Sequence, residues 1–149
     1  RPDRRDWVAI GRDPALIPNA IEEVLRVEPS IHTWRRRTKA PVSFGEGEEA
    51  VSIPAGANLL LLIGAANRDP AVFEDPERFD IHRANAREHL AFGHGPHICL
   101  GAPLARLEGR VVLEELVARF PTLRIAPEHV MQVLPTTSFR GPLSLPVTW

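Results

Sequence analysis

Phe92-Gly93-His94-Gly95-Pro96-His97-Ile98-Cys99-Leu100-Gly101 is the stretch on which the reading of this chain turns. Cys99 is the only cysteine in 149 residues, and it stands where a glycine-rich turn feeds an apolar helical pattern. The dipole and free backbone N–H groups at a helix N-terminus favour a thiolate. Gly93, Gly95 and Gly101 carry no Cβ, so a flat partner can approach the backbone closely there. Phe92 is placed to shield the sulfur from water. A thiolate presented in this way suits a metal ion or a nucleophilic role. A buried, inert cysteine is the plainer alternative, because free cysteines are among the most buried side chains. A zinc site drawn from His89, His94, His97 and Cys99 is another, although it lacks a second cysteine pair and the usual ligand spacing. A cysteine nucleophile needs a base held by a third group; His97 is near in sequence, but no orienting partner is evident.

Downstream of the cysteine, Leu100, Leu104, Leu107, Val111, Leu116, Val117 and Phe120 form an apolar stripe, which predicts a helix over 100–120 ended by Pro121. Upstream, Asp13 is a candidate cap and Pro14 suits the first helical position. Ile17, Ala20, Ile21, Val24 and Leu25 then recur at helical spacing until Pro29, predicting a helix over 14–28 with Glu23 and Arg26 on one face. The two helices are expected to pack near each other. Between them, Ser43–Glu49 reads as a turn, and Val51–Pro54, Ala55–Gly56 and Asn58–Ile63 read as strand, turn and strand. Residues 65–98 hold no long periodic element but keep Phe73, Phe79, Leu90, Phe92 and Ile98, which favours a packed functional loop over a linker. Thr122–Ile125, Met131–Leu134 and Ser144–Thr148 read as short strands between Pro/Gly turns.

Composition narrows the classes further. Eighteen basic and nineteen acidic residues leave a formal charge of −1, without the basic footprint of a non-specific nucleic-acid binder. A hydrophobic fraction of 44% with 25% charged residues describes a globular chain. The longest aliphatic run, Leu59–Ile63, is far short of the ~20 residues a spanning helix needs, so no membrane is expected. The single cysteine excludes an intramolecular disulfide, and no signal-peptide pattern is present, which reads as cytoplasmic. The only methionine is Met131, so the chain reads as a piece of something longer.

FGHGPHICLG resembles the cysteine-ligand loop of the cytochrome P-450 family, the haem-thiolate monooxygenases: Phe92, Gly93, two spaced positions, a basic residue at His97, a spacer, Cys99, a spacer and Gly101. Glu23-Val24-Leu25-Arg26 is similar to the family's Glu-x-x-Arg helix, and Pro76-Glu77-Arg78-Phe79 to its meander motif. Ile53-Pro54-Ala55-Gly56, Ala66-Asn67-Arg68-Asp69-Pro70 and Arg140-Gly141 with Leu145-Pro146-Val147 resemble segments of soluble bacterial members. The resemblance spans essentially the whole chain. It implies an α+β fold, mainly α, forming the C-terminal part of the cytochrome P-450 domain: Glu-x-x-Arg helix, small β-sheets, meander, Cys-ligand loop and long proximal helix.

The same resemblance implies the site. Cys99 is the axial ligand of the iron of haem b (iron protoporphyrin IX), in a loop that includes Phe92, Gly93 and Gly101. His97 matches the basic position that hydrogen-bonds a haem propionate. Arg36 is the best match for the propionate-binding arginine, with Arg37 next. Glu23, Arg26 and Arg78 match an internal salt-bridge triad, although the helical pair alone reads equally as an exposed contact. Ile31, His32, Thr33, Ser138 and Phe139 resemble substrate-facing segments, and ordinary strand packing is the alternative. The implied reaction inserts one oxygen atom from O2 into a small apolar organic substrate with NAD(P)H-derived electrons. These would arrive through a ferredoxin or flavodoxin docking near Arg106 and Arg110, if those arginines are more than a solvated face. The family's central oxygen-activating helix and N-terminal part are not matched, so residues 1–149 are expected to be the C-terminal portion of a single domain. A truncated, non-catalytic haem-binding fragment and a haem-thiolate peroxygenase are the competing readings.

Overall fold

The computed structural model describes residues 4–47 and 50–149. Two helices meet at its core. Asp13 accepts a hydrogen bond from the Ala15 amide at 3.1 Å, and Pro14 opens a single 3-10 turn that runs into helix α2, Ile17–Val27. The buried Pro29 follows its end. The long helix after the cysteine, α4, spans Ala102–Arg119. The helices α2 and α4 meet at Gly109, where an added Cβ would make an ordinary contact with Ile21 Cδ1 at 3.5 Å. Ahead of them, helix α1 at Arg4–Arg12 packs on α4: Gly11 faces Val117, and the Trp7 indole donates to the Phe120 carbonyl at 3.3 Å. The sequence reading did not foresee α1, because so short a segment shows barely two turns of periodicity. Ile10, Ile17, Ala20, Ile81 and Val117 form the buried centre, with Trp7, Ile21, Phe79 and Leu113 packed against it.

The strands expected at Val51–Pro54 and Asn58–Ile63 are present, but each pairs with a strand the sequence did not predict, and the pairing is nested. Strand β1 (Thr33–Arg37) holds the three arginines and pairs antiparallel with β4 (Asn58–Leu62). Between them β2 (Val42–Phe44) pairs with β3 (Val51–Ile53). The turn at Ala55–Gly56 therefore joins strands of two different ladders and makes no hairpin. Ser43 and Phe44, expected in a turn, belong to β2, and the end of that expected turn lies outside the described residues. A short helix, α3 (Ile63–Ala66), follows β4. At the C-terminus β5 (Arg124–Ile125) pairs with β6 (Val147–Thr148), while the strand expected at Met131–Leu134 is reduced to one bridge, Val133 to Pro142.

Residues 67–98 form the meander. Of the apolar residues that favoured a packed loop, Phe73 is buried and Phe79, Leu90 and Phe92 are half-buried, whereas Ile98 is 52% exposed; Ile81, Ala86 and His89 are buried there too. The apolar stripe predicted for α4 is a correction. Leu104, Leu107, Val111 and Val112 are exposed, because α1 and α2 pack on the opposite face through Gly109, Leu113 and Val117. No helix among the described residues is long and apolar enough to cross a membrane.

Candidate functional site: a cysteine loop between two charge networks

The loop leading to Cys99 turns on its glycines. Gly93 and Gly95 have φ of 74° and 78°, a region that costs an L side chain energy. A 3-10 turn spans Gly95–His97, and the Cys99 amide donates back to the Phe92 carbonyl at 2.9 Å. Gly101 then caps α4. Cys99 is a free, exposed thiol, so the inert buried reading does not hold. His97 is exposed on the same turn, and Leu100 beside it is 98% exposed. No group of three His, Cys, Asp or Glu side chains among the described residues is arranged to hold a metal ion, which sets the zinc reading aside.

The first network fastens the meander. Glu23 and Arg26 are 0% exposed. Arg26 donates from Nε and Nη2 to the Glu23 carboxylate, both at 2.8 Å. Its remaining donors reach the carbonyls of Asn67, Pro76 and Arg78 at 2.8–3.0 Å, so all five guanidinium N–H groups are satisfied. The Phe73 ring covers its face at 5.1 Å. The third charged member is Arg83, whose Nε donates to Glu23 Oε1 at 3.2 Å with its side chain 8% exposed. Arg83 also donates to the carbonyls of Glu74, Asp75 and Arg78, supporting Asp75 in its left-handed conformation at φ 44°. The expected triad of Glu23, Arg26 and Arg78 is therefore corrected. Arg78 contributes only its carbonyl, while its guanidinium is 66% exposed and pairs with Asp80 at 3.4 Å.

A second network, which the sequence reading missed, joins the loop to the same helix. The carboxylate of Glu22 accepts from Arg106 Nε at 2.6 Å and Nη2 at 2.9 Å. It also lies 3.0 Å from His89 Nε2. His89 Nδ1 accepts the Ala91 amide at 3.1 Å, so the neutral ring carries its proton on Nε2 and donates it to Glu22. Burial, the largest effect, with Arg106 nearby, keeps His89 below the ordinary imidazole value although Glu22 opposes this. Burial would raise Glu22, but hydrogen bonds and charge from Arg106 and His89 outweigh it and hold the carboxyl below its usual range. Arg106 lies over the Phe92 ring at 4.7 Å, and His89 meets that ring at 5.9 Å. Arg106, its side chain 27% exposed, is thus tied to Glu22 and is withdrawn as a docking residue. Arg110 remains exposed, paired with Glu114 at 2.9 Å.

The arginine strand separates its members. Arg37 Nε donates to the Gly56 carbonyl at 3.1 Å, holding the turn between β3 and β4. The Arg36 guanidinium donates to the Arg35 carbonyl and lies over the Trp34 ring at 5.6 Å, both on its own strand. The two apolar segments singled out from sequence do meet. Ile31 bridges Phe139, the His32 amide donates to the Ser138 carbonyl at 2.8 Å, and the Thr33 hydroxyl donates to the Thr137 carbonyl at 2.9 Å. A cavity of about 150 Å³ lies there, lined by His32, Leu134, Phe139 and Arg140 among others.

A family model for cytochrome P450 matches residues 15–141. The chain belongs to the cytochrome P450 family. It is 50% identical over 119 residues to cytochrome P450 107B1 of Saccharopolyspora erythraea, covering 79% of this chain and 28% of that protein. It is 40% identical over 148 residues to the steroid C26-monooxygenase of Mycobacterium tuberculosis, covering 99% of this chain and 38% of that one. Among solved structures, the CYP116B5 heme domain of Acinetobacter radioresistens superposes with a TM-score of 0.91 at 40% identity, over 99% of this chain and 34% of the other. The chain thus spans about a third of the length of the P450 relatives it matches. P450 membership implies a haem cofactor, and the residues present fit one. A haem would require one donor atom from the protein for its iron. One exposed sulfur stands on this loop, 3.7 Å from where a Cβ on Gly101 would lie, and an added Cβ at Gly93 or Gly95 would meet nothing within 4 Å.

Proposed function

We propose that residues 1–149 form the C-terminal part of a single P450 domain and supply the proximal, thiolate-bearing side of its haem b site in a monooxygenase. The observation that carries the reading is the exposed Cys99 on its left-handed glycine loop, anchored to α2 from both sides. When bound, haem supplies oxygen binding and activation, and thiolate ligation favours O–O cleavage. Cys99 would be the thiolate donor to its iron, and Phe92, Gly93 and Gly101 would shape the approach. His97 and Arg36 hold the propionates, whereas Arg37 serves its turn. Ile31, His32, Thr33, Ser138 and Phe139 line part of an apolar substrate pocket, and burial together with Arg140 keeps His32 below the ordinary imidazole value. Relatives named for a steroid and for vitamin D3 support an apolar organic substrate. O2 and a ferredoxin or flavodoxin in the cytoplasm complete the reaction, the donor docking near the exposed Arg110.

The test uses a full-length chain carrying these residues. The reduced protein with CO is expected to show the red-shifted Soret band of a thiolate-ligated haem, and Cys99→Ala to abolish it. A variant that keeps the band removes Cys99 as the ligand. Substrate-dependent NAD(P)H oxidation with a ferredoxin or flavodoxin then separates a monooxygenase from a peroxygenase, which needs only H2O2.

A further inference from the structure

Glu22 stands next to Glu23 in the chain, yet its carboxylate serves a different part of the molecule. Glu23 holds the meander through Arg26 and Arg83. Glu22 holds the two limbs of the cysteine loop: His89 on the limb that enters it and Arg106 on the helix that leaves it. Both partners then converge on Phe92. Arg106 covers one face of its ring and His89 meets it at a tilt of 51°. The Phe92 carbonyl in turn accepts the Cys99 amide. Within the loop itself, Gly93 through Leu100 are exposed, so nothing in that segment is held by burial. The geometry points to Glu22 as a positioning residue for the thiolate: its carboxylate, through the Arg106 fork and the His89 ring, fixes Phe92 and hence the pitch of the Cys99 backbone.

The physical case rests on what each partner does. A guanidinium held by two parallel bonds to a carboxylate has a fixed plane, and this one is held over the Phe92 ring at 4.7 Å. His89, with its Nδ1 accepting a loop amide and its Nε2 donating to Glu22, spans from helix to loop with no freedom to turn. Glu22→Gln removes the charge and one acceptor oxygen while keeping the volume, so Arg106 loses its fork and Phe92 its clamp. Residues behind a metal ligand usually matter about 10- to 100-fold.

The inference rests on Cys99 ligating haem, and the experiment separates the two. In full-length chains loaded with equal haem, held well below their unfolding temperature, the rate at which the red-shifted CO band gives way to the blue-shifted band of a lost thiolate is followed. Glu22→Gln is expected to accelerate this conversion about tenfold. Arg106→Lys, which keeps the charge but lacks the planar fork, is a gentler second variant expected to accelerate it similarly. The double variant is expected to convert no faster than Glu22→Gln, because both act through one clamp. Wild-type rates in either single variant, with only the melting temperature lowered, overturn the positioning role. So does a double variant whose two effects multiply. Absence of the red-shifted band in the unmodified protein instead overturns the assignment of Cys99.

Discussion

Arg83 and Arg78 lie five residues apart in the meander, yet only Arg83 directs its guanidinium inward. Removing one partner of a buried pair leaves an uncompensated charge, which costs about 3–5 kcal/mol. Arg26→Ala and Arg83→Ala are both expected to cripple folding or haem loading of a full-length chain, since each strands part of Glu23. Arg26→Ala is the more severe, because it removes two bonds to Glu23 where Arg83 makes one, and leaves the carbonyls of Asn67 and Pro76 without their donor. Arg78→Ala keeps the carbonyl that the network uses, and a change within about 0.5 kcal/mol is expected. Thermal unfolding and haem content of the three variants decide the matter. Equal losses for Arg78 and Arg83 would restore the triad inferred from sequence.

At the scale of elements, α2 is a helix with its polarity partly inverted. Val24, which the apolar spacing assigned to the core, is 43% exposed, while Glu22, Glu23 and Arg26 are buried. Asn19 continues that polar stripe, donating to the carbonyls of Ile81 and Arg83. A helix fastened by ionised groups is sensitive to acid. His89 and Glu22 both have folded values below their ordinary 6.5 and 4.5. The unfolded chain therefore takes up protons first, and stability falls as pH drops, beginning below 6.5 for His89 and below 4.5 for Glu22. Urea midpoints measured from pH 7.5 down to 5 are expected to decline in a full-length chain. His89→Gln, which keeps a donor for Glu22 but does not titrate, is expected to flatten the slope; an unaltered slope assigns it to other groups.

The α2–α4 contact offers a second prediction at this scale. Gly109 costs a helix interior roughly 1 kcal/mol relative to alanine. Its added Cβ would make an ordinary contact with Ile21 at 3.5 Å. Gly109→Ala is expected to raise the melting temperature, whereas Gly109→Leu, which must push α2 away, is expected to lower it and reduce haem content. A destabilised alanine variant would mean that the helices tolerate no addition at all.

For the whole molecule, surface area decides. The chain exposes 10931 Å², against roughly 7,500 Å² for a compact monomer of its size. Much of the excess is apolar: Leu100, Leu104, Leu107, Val111 and Val112 along α4, and Leu60 and Leu62 on β4. Patches on this scale mark surfaces that another part of a protein covers. Residues 1–149 expressed alone are expected to aggregate or bind haem weakly, and to give no coupled hydroxylation with haem, a reductase system and apolar substrates. Size-exclusion chromatography and product analysis test this. Substrate-dependent hydroxylation by the isolated chain would show that it builds a complete site on its own.

The sequence by itself determined the cysteine loop, both long helices and the family, because glycines at left-handed positions, caps, prolines and helical spacing act over a few residues. It marked Ile31–Thr33 and Ser138–Phe139 as substrate-facing only by resemblance, and that the two segments meet is shown by the structure. Tertiary structure alone decided which charges are buried. Glu23 and Arg26 have the spacing of any surface pair, and what takes them inside is a set of partners 41–60 residues away in the meander. Glu22 was equally silent, since its partners lie 67 and 84 residues further on. The strand partners of β1 and β3, the choice of Arg83 over Arg78 and the exposed face of α4 belong with these. Each depends on which distant groups arrive to satisfy a donor or cover a side chain, and local pattern carries no record of that.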